Sequence, residues 1–451
     1  MPTEIPRPSP SHFPAFAVAA VLLALSAATT SGCAACKGSD AARCTIAVHG
    51  GGGEDGGTAS GSGGSADPGA AAGADGAGAG GAGATVGTGG TITGTGGATG
   101  PGGTAGTTGG GGTGAGGSGD RDDGSVLSSG VRWLGRVDTS TLDRPRFAWS
   151  GTGFIARFNG VGLTVTLSNA DAFYFKAVID GQPQPAFATV AGQGSYPIAA
   201  GLAAGAAHTV ELYRQTEGVY GQSQLLGITV QGGALLDPPR ARARQIEVFG
   251  ASVSCGYGDL GVAPCGFTFA TESHFDTYAA VAARALGADL SVVAISGRGV
   301  IRNSDGTTTG NIPSLYDRVL PASATPTWDF HIRPQAVVIN LGKNDLATGD
   351  PGVAFVNGYV AFVRTLRARY PDALIVATTG PNLGDPNHAL QLTYVQRALD
   401  MLHAAGDPRV DLLDWPEETP AETGCDVHPT AAKQRTMGQA LTALLSTRLA
   451  W

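Results

Sequence analysis

Residues 241–451 alternate between short apolar runs and longer segments in which apolar side chains recur every three or four positions. The first pattern indicates buried strands and the second indicates amphipathic helices. The predicted strands are Ile246–Phe249, Leu290–Ile295, Ala336–Asn340, Leu374–Thr379 and Val410–Leu413. The predicted helices are Asp276–Leu286, Ala354–Tyr370, His388–Ala404 and Thr430 to about Ser446. This alternation predicts an α/β domain, a parallel sheet covered by helices on both faces.

Residues 131–237 follow a different pattern, with apolar and polar positions alternating over short segments between turn residues. The clearest segments are Phe154–Phe158, Gly162–Leu167, Tyr174–Ile179, His208–Tyr213 and Leu225–Val230. Asp180-Gly181 after the third segment is a strong hairpin signal. The pattern predicts a β-sandwich of about 100 residues. Such a domain either packs against the α/β domain and shapes its cleft, or binds sugar by itself.

The first part of the chain is not predicted to form a hydrophobic core. Phe13–Ala28 is apolar but too short for a membrane span, which is typical of a secretory signal peptide. Ser31–Cys33 looks like the end of a bacterial lipobox, so we expect either lipidation of Cys33 or ordinary signal cleavage nearby. Residues 1–33 are therefore predicted as a signal peptide, and the protein as secreted or held at the cell surface or outer membrane. Residues 34–125, rich in Gly, Ala and Thr, are predicted to be a disordered linker.

Composition narrows the possible partners. The formal net charge is −8 and no basic tract is present, which argues against nucleic acid. The six cysteines fit none of the paired zinc spacings, and no Gly-Lys-Ser/Thr occurs in the glycine-rich region. We therefore predict no metal and no cofactor. We also predict a monomer that meets a membrane only through an N-terminal lipid anchor.

The candidate functional residues follow the carboxyl ends of the predicted strands, where ligands bind in open parallel sheets. Ser252 follows the first strand, Gly297 follows the second, and Asn344 follows the third. His428 stands just before the last helix. A serine hydroxyl, small or amide donors and an imidazole are the groups that acyl transfer needs.

Ser, Gly, Asn and His in this order resemble the SGNH (GDSL-like) hydrolases, whose domain is a flavodoxin-like three-layer α/β fold. The chain is most similar to carbohydrate esterase family two, the acetyl xylan esterase-like enzymes that join a jelly-roll sandwich to an SGNH domain. The motifs that carry the resemblance are Ser254–Gly258, Ser296-Gly297-x-Gly299 with Arg302-Asn303, Asn340-Leu341-Gly342-x-Asn344-Asp345, Arg146–Trp149 and Phe154-x-Ala156-Arg157-Phe158. The resemblance covers about residues 131 to 445. It implies an exported serine esterase that removes O-acetyl groups from polysaccharides or oligosaccharides through an acetyl-enzyme.

The resemblance also implies a role for each block. Ser252 would be the nucleophile, and His428 would move its proton. The oxyanion hole would consist of the backbone N–H groups of Ser252 and Gly297 and the side-chain amide of Asn344. Three aromatic residues either stack on sugar rings or pack in the core: Tyr257, Trp328 and Trp415.

Two positions depart from the family pattern. Ala251 stands where the wider superfamily has Asp, and Cys425 occupies the usual place of the triad acid, three residues before His428. Three alternatives follow for orienting the imidazole: the carboxylate of Asp426, a Ser–His dyad with a backbone carbonyl, or a more distant acid. These departures also keep open a non-catalytic carbohydrate-binding protein on an esterase scaffold. A further alternative is an SGNH hydrolase for a different acyl ester, which a long apolar acyl pocket would favour.

The cysteines near the predicted nucleophile suggest a disulfide. Cys255 and Cys265 bracket a short loop beside Ser252, and a bond between them would stiffen the cleft of an exported protein. Cys425 competes for Cys255, because both flank the predicted site. We predict the pair Cys255–Cys265.

Overall fold

The computed structural model describes residues 130–451. The predicted signal peptide, the linker at 34–125 and Cys33 lie outside the described residues. Among the helices of residues 130–451, none is long and apolar enough to cross a membrane.

Residues 131–236 form a sandwich of two antiparallel sheets. Its strands are β1 Val131–Leu134, β2 Val137–Asp138, β3 Arg146–Phe147, β4 Gly153–Phe158, β5 Gly162–Asn169, β6 Tyr174–Ile179, β7 Gln182–Pro183, β8 Phe187–Ala188, β9 Gly192–Ala199, β10 His208–Arg214, β11 Ser223–Gln231 and β12 Leu235–Leu236. One sheet has the order β1-β4-β10-β6-β7, with β12 beside β4 and β8 beside β6, and the other has the order β2-β3-β11-β5-β9. The alternating apolar side chains of both sheets, such as Phe154, Phe158 and Val165, meet in one buried core. The predicted sandwich is confirmed.

The turn between β6 and β7 shows how the local sequence determines a hairpin. Asp180 and Gly181 have φ values of 49° and 79°. Asp and Gly are among the residues that tolerate this left-handed region, and the two-residue turn suits the twist of antiparallel strands.

The second domain is a five-stranded parallel sheet between two layers of helices. Its elements are β13 Arg244–Gly250, α1 Ser252–Cys255, α2 Tyr278–Leu286, β14 Ala288–Ala294, α3 Ile312–Leu315, β15 Ala336–Asn340, α4 Lys343–Leu346, α5 Gly352–Arg369, β16 Leu374–Thr379, α6 Asn387–Ala404, β17 Val410–Asp414 and α7 Ala431–Leu449. Short 3₁₀ turns lie at Gly218–Tyr220, Phe269–Thr271, His274–Asp276, Pro420–Glu422 and Cys425–Val427. The order β14-β13-β15-β16-β17 is the flavodoxin-like order. The predicted fold class is confirmed.

The strands of this sheet are continuously apolar because both faces are covered. On β13, Val248 belongs to the core that includes side chains of α2 and α7. Its neighbour Phe249 belongs to the opposite core, which includes side chains of α5 and α6. All five strands and the four long helices lie where the sequence predicts them, within a few residues. The four-residue helices α1, α3 and α4 were missed, because a single turn is too short to show a period.

The sandwich packs against the α/β domain through buried ion pairs. Arg136 Nη2 lies 2.9 Å from Glu247 Oε1 on β13, and both side chains are fully buried. Arg132 Nη1 lies 2.7 Å from Asp289 Oδ2 on β14. A buried charge needs its partner. These contacts therefore fix how the two domains meet, and packing of the sandwich on the α/β domain is confirmed.

Candidate active site

Ser252 lies at a tight connection between β13 and α1. The strand ends at Gly250, where a Cβ would overlap Ser254 Oγ, so the turn accepts only glycine there. Ser252 is the first residue of α1, and its N–H therefore has no acceptor within that helix. Ser252 is buried, with 7% of the residue exposed. The turn thus presents a hydroxyl and a backbone donor at the carboxyl edge of the sheet.

His428 reaches this hydroxyl from 176 residues further along the chain. Its Nε2 lies 2.7 Å from Ser252 Oγ, within hydrogen-bonding distance. The imidazole stands on an extended residue just before α7, and Thr430 caps that helix by accepting from the Lys433 N–H. The imidazole is therefore carried directly in front of a capped helix start, next to the serine.

The other imidazole nitrogen is oriented by the backbone. His428 Nδ1 lies 2.9 Å from the carbonyl oxygen of Asp426. Asp426 and Val427 both have positive φ, 48° and 58°, and for a β-branched residue such a value is an outlier that needs support from its surroundings. This conformation turns the carbonyl, and not the side chain, toward the ring.

The carboxylate of Asp426 points elsewhere. It accepts hydrogen bonds from Tyr257 Oη at 3.1 Å and from the N–H of Phe267 at 2.9 Å. The alternative in which this carboxylate serves as the triad acid is therefore wrong. The geometry is that of the alternative, a Ser–His dyad oriented by a backbone carbonyl.

The surroundings keep the imidazole neutral. Burial lowers the pKa of His428 to about 3, and the positive charge of Lys343 acts in the same direction. Burial also lowers the pKa of Lys343 to about 8 and raises the pKa of Glu418 to about 7, while attraction between the two opposes each shift. A neutral imidazole beside a hydroxyl is the form that accepts a proton.

A hydrogen bond links the loop of Gly297 to Asn344. Gly297 follows β14 with φ +78°, and a Cβ there would lie 2.9 Å from Ser304 Oγ. Asn344, on α4, donates from Nδ2 to the carbonyl of Arg298 at 2.8 Å. An amide nitrogen carries two protons, so one remains for another acceptor. Arg298, the residue after Gly297, thus accepts a hydrogen bond from Asn344. This hydrogen bond connects the segments that carry the two predicted oxyanion donors.

Asp345 supports the same loop, a role that the sequence reasoning missed. Its carboxylate accepts hydrogen bonds from the N–H groups of Val300, Ile301 and Arg302 at 2.8–3.1 Å. Burial raises the pKa of Asp345, while these N–H groups favour its charged form. The available signal was the Asn-Asp pair opening a helix after a strand, where an acidic side chain often binds backbone donors.

A small cavity adjoins the serine. Its volume is about 20 Å³, and Ser252, Gly342 and Asn344 are among the residues that form its walls. A much larger cavity, about 310 Å³, lies between the domains around Trp133 and Asp289, and Ser252 does not line it. The small cavity therefore adjoins Ser252 and Asn344, and the large one is separate from the serine.

The disulfide differs from the prediction. Cys265 bonds Cys425, with their Cα atoms 4.6 Å apart, and Cys255 is a buried free thiol. Cys255 ends α1 and its side chain turns into the core, where its Sγ lies 3.7 Å from Glu217 Oε2. The predicted pair Cys255–Cys265 is therefore wrong. The bond that forms ties the loop of Cys265 to the turn that carries His428.

Aromatic side chains continue from the dyad toward the sandwich. The ring centroid of Tyr257 lies 4.5 Å from that of His428, and Phe267 stacks on Tyr257 at 4.1 Å. Trp328 and Trp415 are buried core residues. Of the three aromatic residues proposed for sugar stacking, only Tyr257 adjoins the site.

Two side-chain groups within residues 130–451 bring potential metal ligands within 4.8 Å of one another: Glu217, Cys255 and Glu272, and Asp385, His388 and Glu417. In both groups protein donors already occupy carboxylate oxygens. The N–H of Ser296 binds Glu217, and the N–H of Asp385 binds Glu417. Hydrogen bonds within the protein therefore already engage one carboxylate in each group.

Comparison with known proteins identifies two matching family models. The "Carbohydrate esterase 2 N-terminal" model matches residues 133–239, and the "GDSL-like Lipase/Acylhydrolase family" model matches residues 248–435. The first covers the sandwich and the second covers most of the α/β domain.

Individual relatives agree with these models. The chain is 35% identical to "Cellulase/esterase CelE" of Acetivibrio thermocellus over 71% of this chain, and it spans 40% of the length of that relative. It is 28% identical to an "Acetylxylan esterase / glucomannan deacetylase" of Cellvibrio japonicus, covering 71% of this chain and 89% of that one. A solved structure of a family two carbohydrate esterase from Clostridium thermocellum in complex with cellohexaose matches with a TM-score of 0.69 and 34% identity, covering 71% of this chain and 100% of that one.

Proposed function

The chain belongs to carbohydrate esterase family two, and on that premise we propose that it is a serine esterase that removes O-acetyl groups from polysaccharides or oligosaccharides. The observation that carries the proposal is the 2.7 Å contact between Ser252 Oγ and His428 Nε2 at the carboxyl edge of the sheet. The named activities of the relatives support the substrate class.

The proposed reaction proceeds through an acetyl-enzyme. Ser252 Oγ attacks the acetyl carbon while His428 Nε2 takes the hydroxyl proton. Collapse of the tetrahedral intermediate breaks the bond to the sugar oxygen, which receives that proton from His428. Water then attacks the acetyl-serine, again giving its proton to His428. Acetate leaves and the serine regains its proton.

The negative oxygen of each tetrahedral intermediate needs donors that are already in place. We assign this role to the N–H groups of Ser252 and Gly297 and to the second amide proton of Asn344. Each lost donor costs roughly 10²–10³ in rate. The hydrogen bond from Asn344 to Arg298 and the bonds from the loop to Asp345 supply the rigidity that such a site requires.

The size of the cavity beside Ser252 favours a short acyl group. A volume of about 20 Å³ has room for a group about the size of one water molecule or one methyl group. We therefore favour acetate over longer acyl esters.

We also propose that the enzyme is exported, by secretion or with a lipid at Cys33. The Cys265–Cys425 disulfide supports this, because such bonds persist mainly in oxidising compartments.

The test is hydrolysis of 4-nitrophenyl acetate and of 4-nitrophenyl octanoate by the purified protein and by Ser252→Ala. We expect hydrolysis of the acetate that depends on Ser252, and a kcat/KM for octanoate that is lower by at least about tenfold, because one or more misfitting methylenes cost that much or more. Release of acetate from acetylated xylan and glucomannan then tests the glycan substrate. Equal inactivity of both proteins, with glycan binding retained, would instead establish a binding protein. Preference for octanoate would establish a different acyl hydrolase.

A further inference from the structure

A buried carboxyl group of the sandwich reaches into the loops of the proposed site. Glu217 lies after β10, and its side chain is fully buried. Its Oε2 accepts a hydrogen bond from the N–H of Ser296 at 2.7 Å. The same oxygen lies 3.7 Å from Cys255 Sγ, which donates its thiol proton. One carboxyl group therefore contacts two segments of the α/β domain.

Those two segments are the ones that carry the proposed nucleophile and a proposed oxyanion donor. Ser296 directly precedes Gly297, so its N–H and the N–H of Gly297 belong to consecutive peptide units. Cys255 is the last residue of α1, which begins at Ser252. The two planar units meet at the Cα of Ser296, so with the first unit held, only the φ and ψ of Ser296 are left to set the direction of the next N–H.

Glu217 is itself held firmly from the sandwich side. The guanidinium of Arg214 donates to the carbonyl oxygens of Thr216 at 2.7 Å, Glu217 at 3.3 Å and Gly221 at 2.8 Å. It also stacks over the Phe173 ring, 3.9 Å from the centroid. The turn that carries Glu217 therefore has little freedom.

A second carboxyl group completes the contact from the α/β domain. Glu272 Oε2 accepts from the N–H of Glu217 at 3.1 Å, and Glu272 is also buried. Burial raises the pKa of both groups. A neutral carboxyl group still accepts through its carbonyl oxygen, so an amide of the same shape can replace it at Ser296.

We infer that Glu217 is a positioning residue of the proposed esterase: by binding the N–H of Ser296 it aligns Gly297 for the oxyanion, so the sandwich helps to assemble the active site. This inference rests on the proposed function. It assigns no contact between Glu217 and the substrate. Loss of the Glu217 carboxyl group should therefore lower kcat, because it affects the transition state, and leave KM nearly unchanged.

The experiment compares Glu217→Leu, which removes the acceptor, with Glu217→Gln, which keeps it. We expect Glu217→Leu to lower kcat for 4-nitrophenyl acetate by about 10- to 100-fold with KM changed less than about threefold, because a misaligned donor costs part of its contribution. Glu217→Gln should restore kcat to within about threefold of the unaltered enzyme, since the amide oxygen still accepts from Ser296. Should Glu217→Leu fail to fold, Glu217→Thr, whose hydroxyl is too short to reach Ser296, takes its place.

Glu247 offers a matched control. It is also fully buried and also joins the two domains, through Arg136, but its ion pair lies on β13 and not in the loops of the site. Glu247→Gln and Glu247→Leu should lower Tm without a selective loss of kcat. Equal kcat losses at positions 217 and 247 for equal losses of Tm would overturn the inference, as would unchanged kcat in Glu217→Leu. Inactivity of the unaltered enzyme, by contrast, would overturn the proposed function itself.

Discussion

Replacement of Asp426 by asparagine separates a backbone-oriented dyad from a carboxylate triad. In the structure the imidazole of His428 faces the carbonyl oxygen of Asp426, while the carboxylate binds Tyr257 and Phe267. Asparagine keeps the carbonyl and retains an oxygen acceptor. It also tolerates the left-handed backbone that residue 426 adopts, with φ 48° and ψ 42°. The substitution therefore removes the negative charge and little else.

The expected cost is small. The two hydrogen bonds to the carboxylate lose their charge-assisted part, and because Asp426 is exposed to solvent we expect a loss of about 1 kcal/mol in total. Even if this whole loss of about 1 kcal/mol were added to the activation barrier, kcat would fall less than about tenfold. Loss of a true triad acid lowers kcat by a factor of about 10⁴, or roughly 5 kcal/mol. The two mechanisms thus differ by about three orders of magnitude.

The assay is steady-state hydrolysis of 4-nitrophenyl acetate by Asp426→Asn, with His428→Asn as the reference for loss of the base. Asp426→Ala is measured beside them, and it should cost a further ~1–2 kcal/mol of folding stability because alanine disfavours the left-handed conformation. If Asp426→Asn loses activity by roughly a thousandfold or more at unchanged Tm, as a triad acid requires, the dyad is refuted.

The same geometry leads to three more expectations. Loss of the disulfide in the Cys265→Ser/Cys425→Ser double variant, whose sequence separation is 160, should lower the free energy of unfolding by about 4–5 kcal/mol in urea titrations. Because the imidazole must be neutral to act as the proposed base, kcat/KM should fall only as pH drops through the lowered pKa of His428, about 3, and Lys343→Met should move this limb to higher pH. Gly297→Ala, which places a Cβ at φ +78°, should lower kcat about 10- to 100-fold with little change in KM.

Each of these has a control within the chain. Cys255→Ser leaves the disulfide intact, so a loss of stability as large as that of the double variant would contradict the assigned pairing. An acid limb near the ordinary histidine pKa of about 6.5 that does not respond to Lys343→Met would contradict the electrostatic argument. Gly306 has φ +82° in the same loop, with its nearest neighbour 3.7 Å from a Cβ, and an equal kcat loss in Gly306→Ala would remove the special role of Gly297.

The sequence predicts most of the α/β fold because its signals are local. Continuous apolar strands such as Ala336–Asn340 and long periodic helices such as Asn387–Ala404 are recognisable from their own residues. Prediction was weaker in the sandwich, where two-residue strands such as Arg146–Phe147 carry too few positions to show alternation. These short strands exist only because neighbouring strands supply their hydrogen-bond partners.

The candidate site divides in the same way. Ser252, Gly297, Asn344 and His428 are recognisable because each follows a strand or precedes a helix, and parallel strands bring such ends to one edge. Glu217 carries no comparable signal. It lies in another domain, and its contact with Ser296 across 79 residues depends on how the two domains dock.

The sequence alone thus determined the two domains, the order of the chemical groups and the residues expected to act. Only the tertiary structure decided which cysteine bonds Cys425 and which oxygen of Asp426 faces the imidazole of His428. The physical reason is that both outcomes depend on short distances and precise directions between segments that are far apart in the chain or joined by a single turn. Side-chain periodicity determines which face of an element is buried, but the backbone torsions of a single turn determine where a carbonyl points.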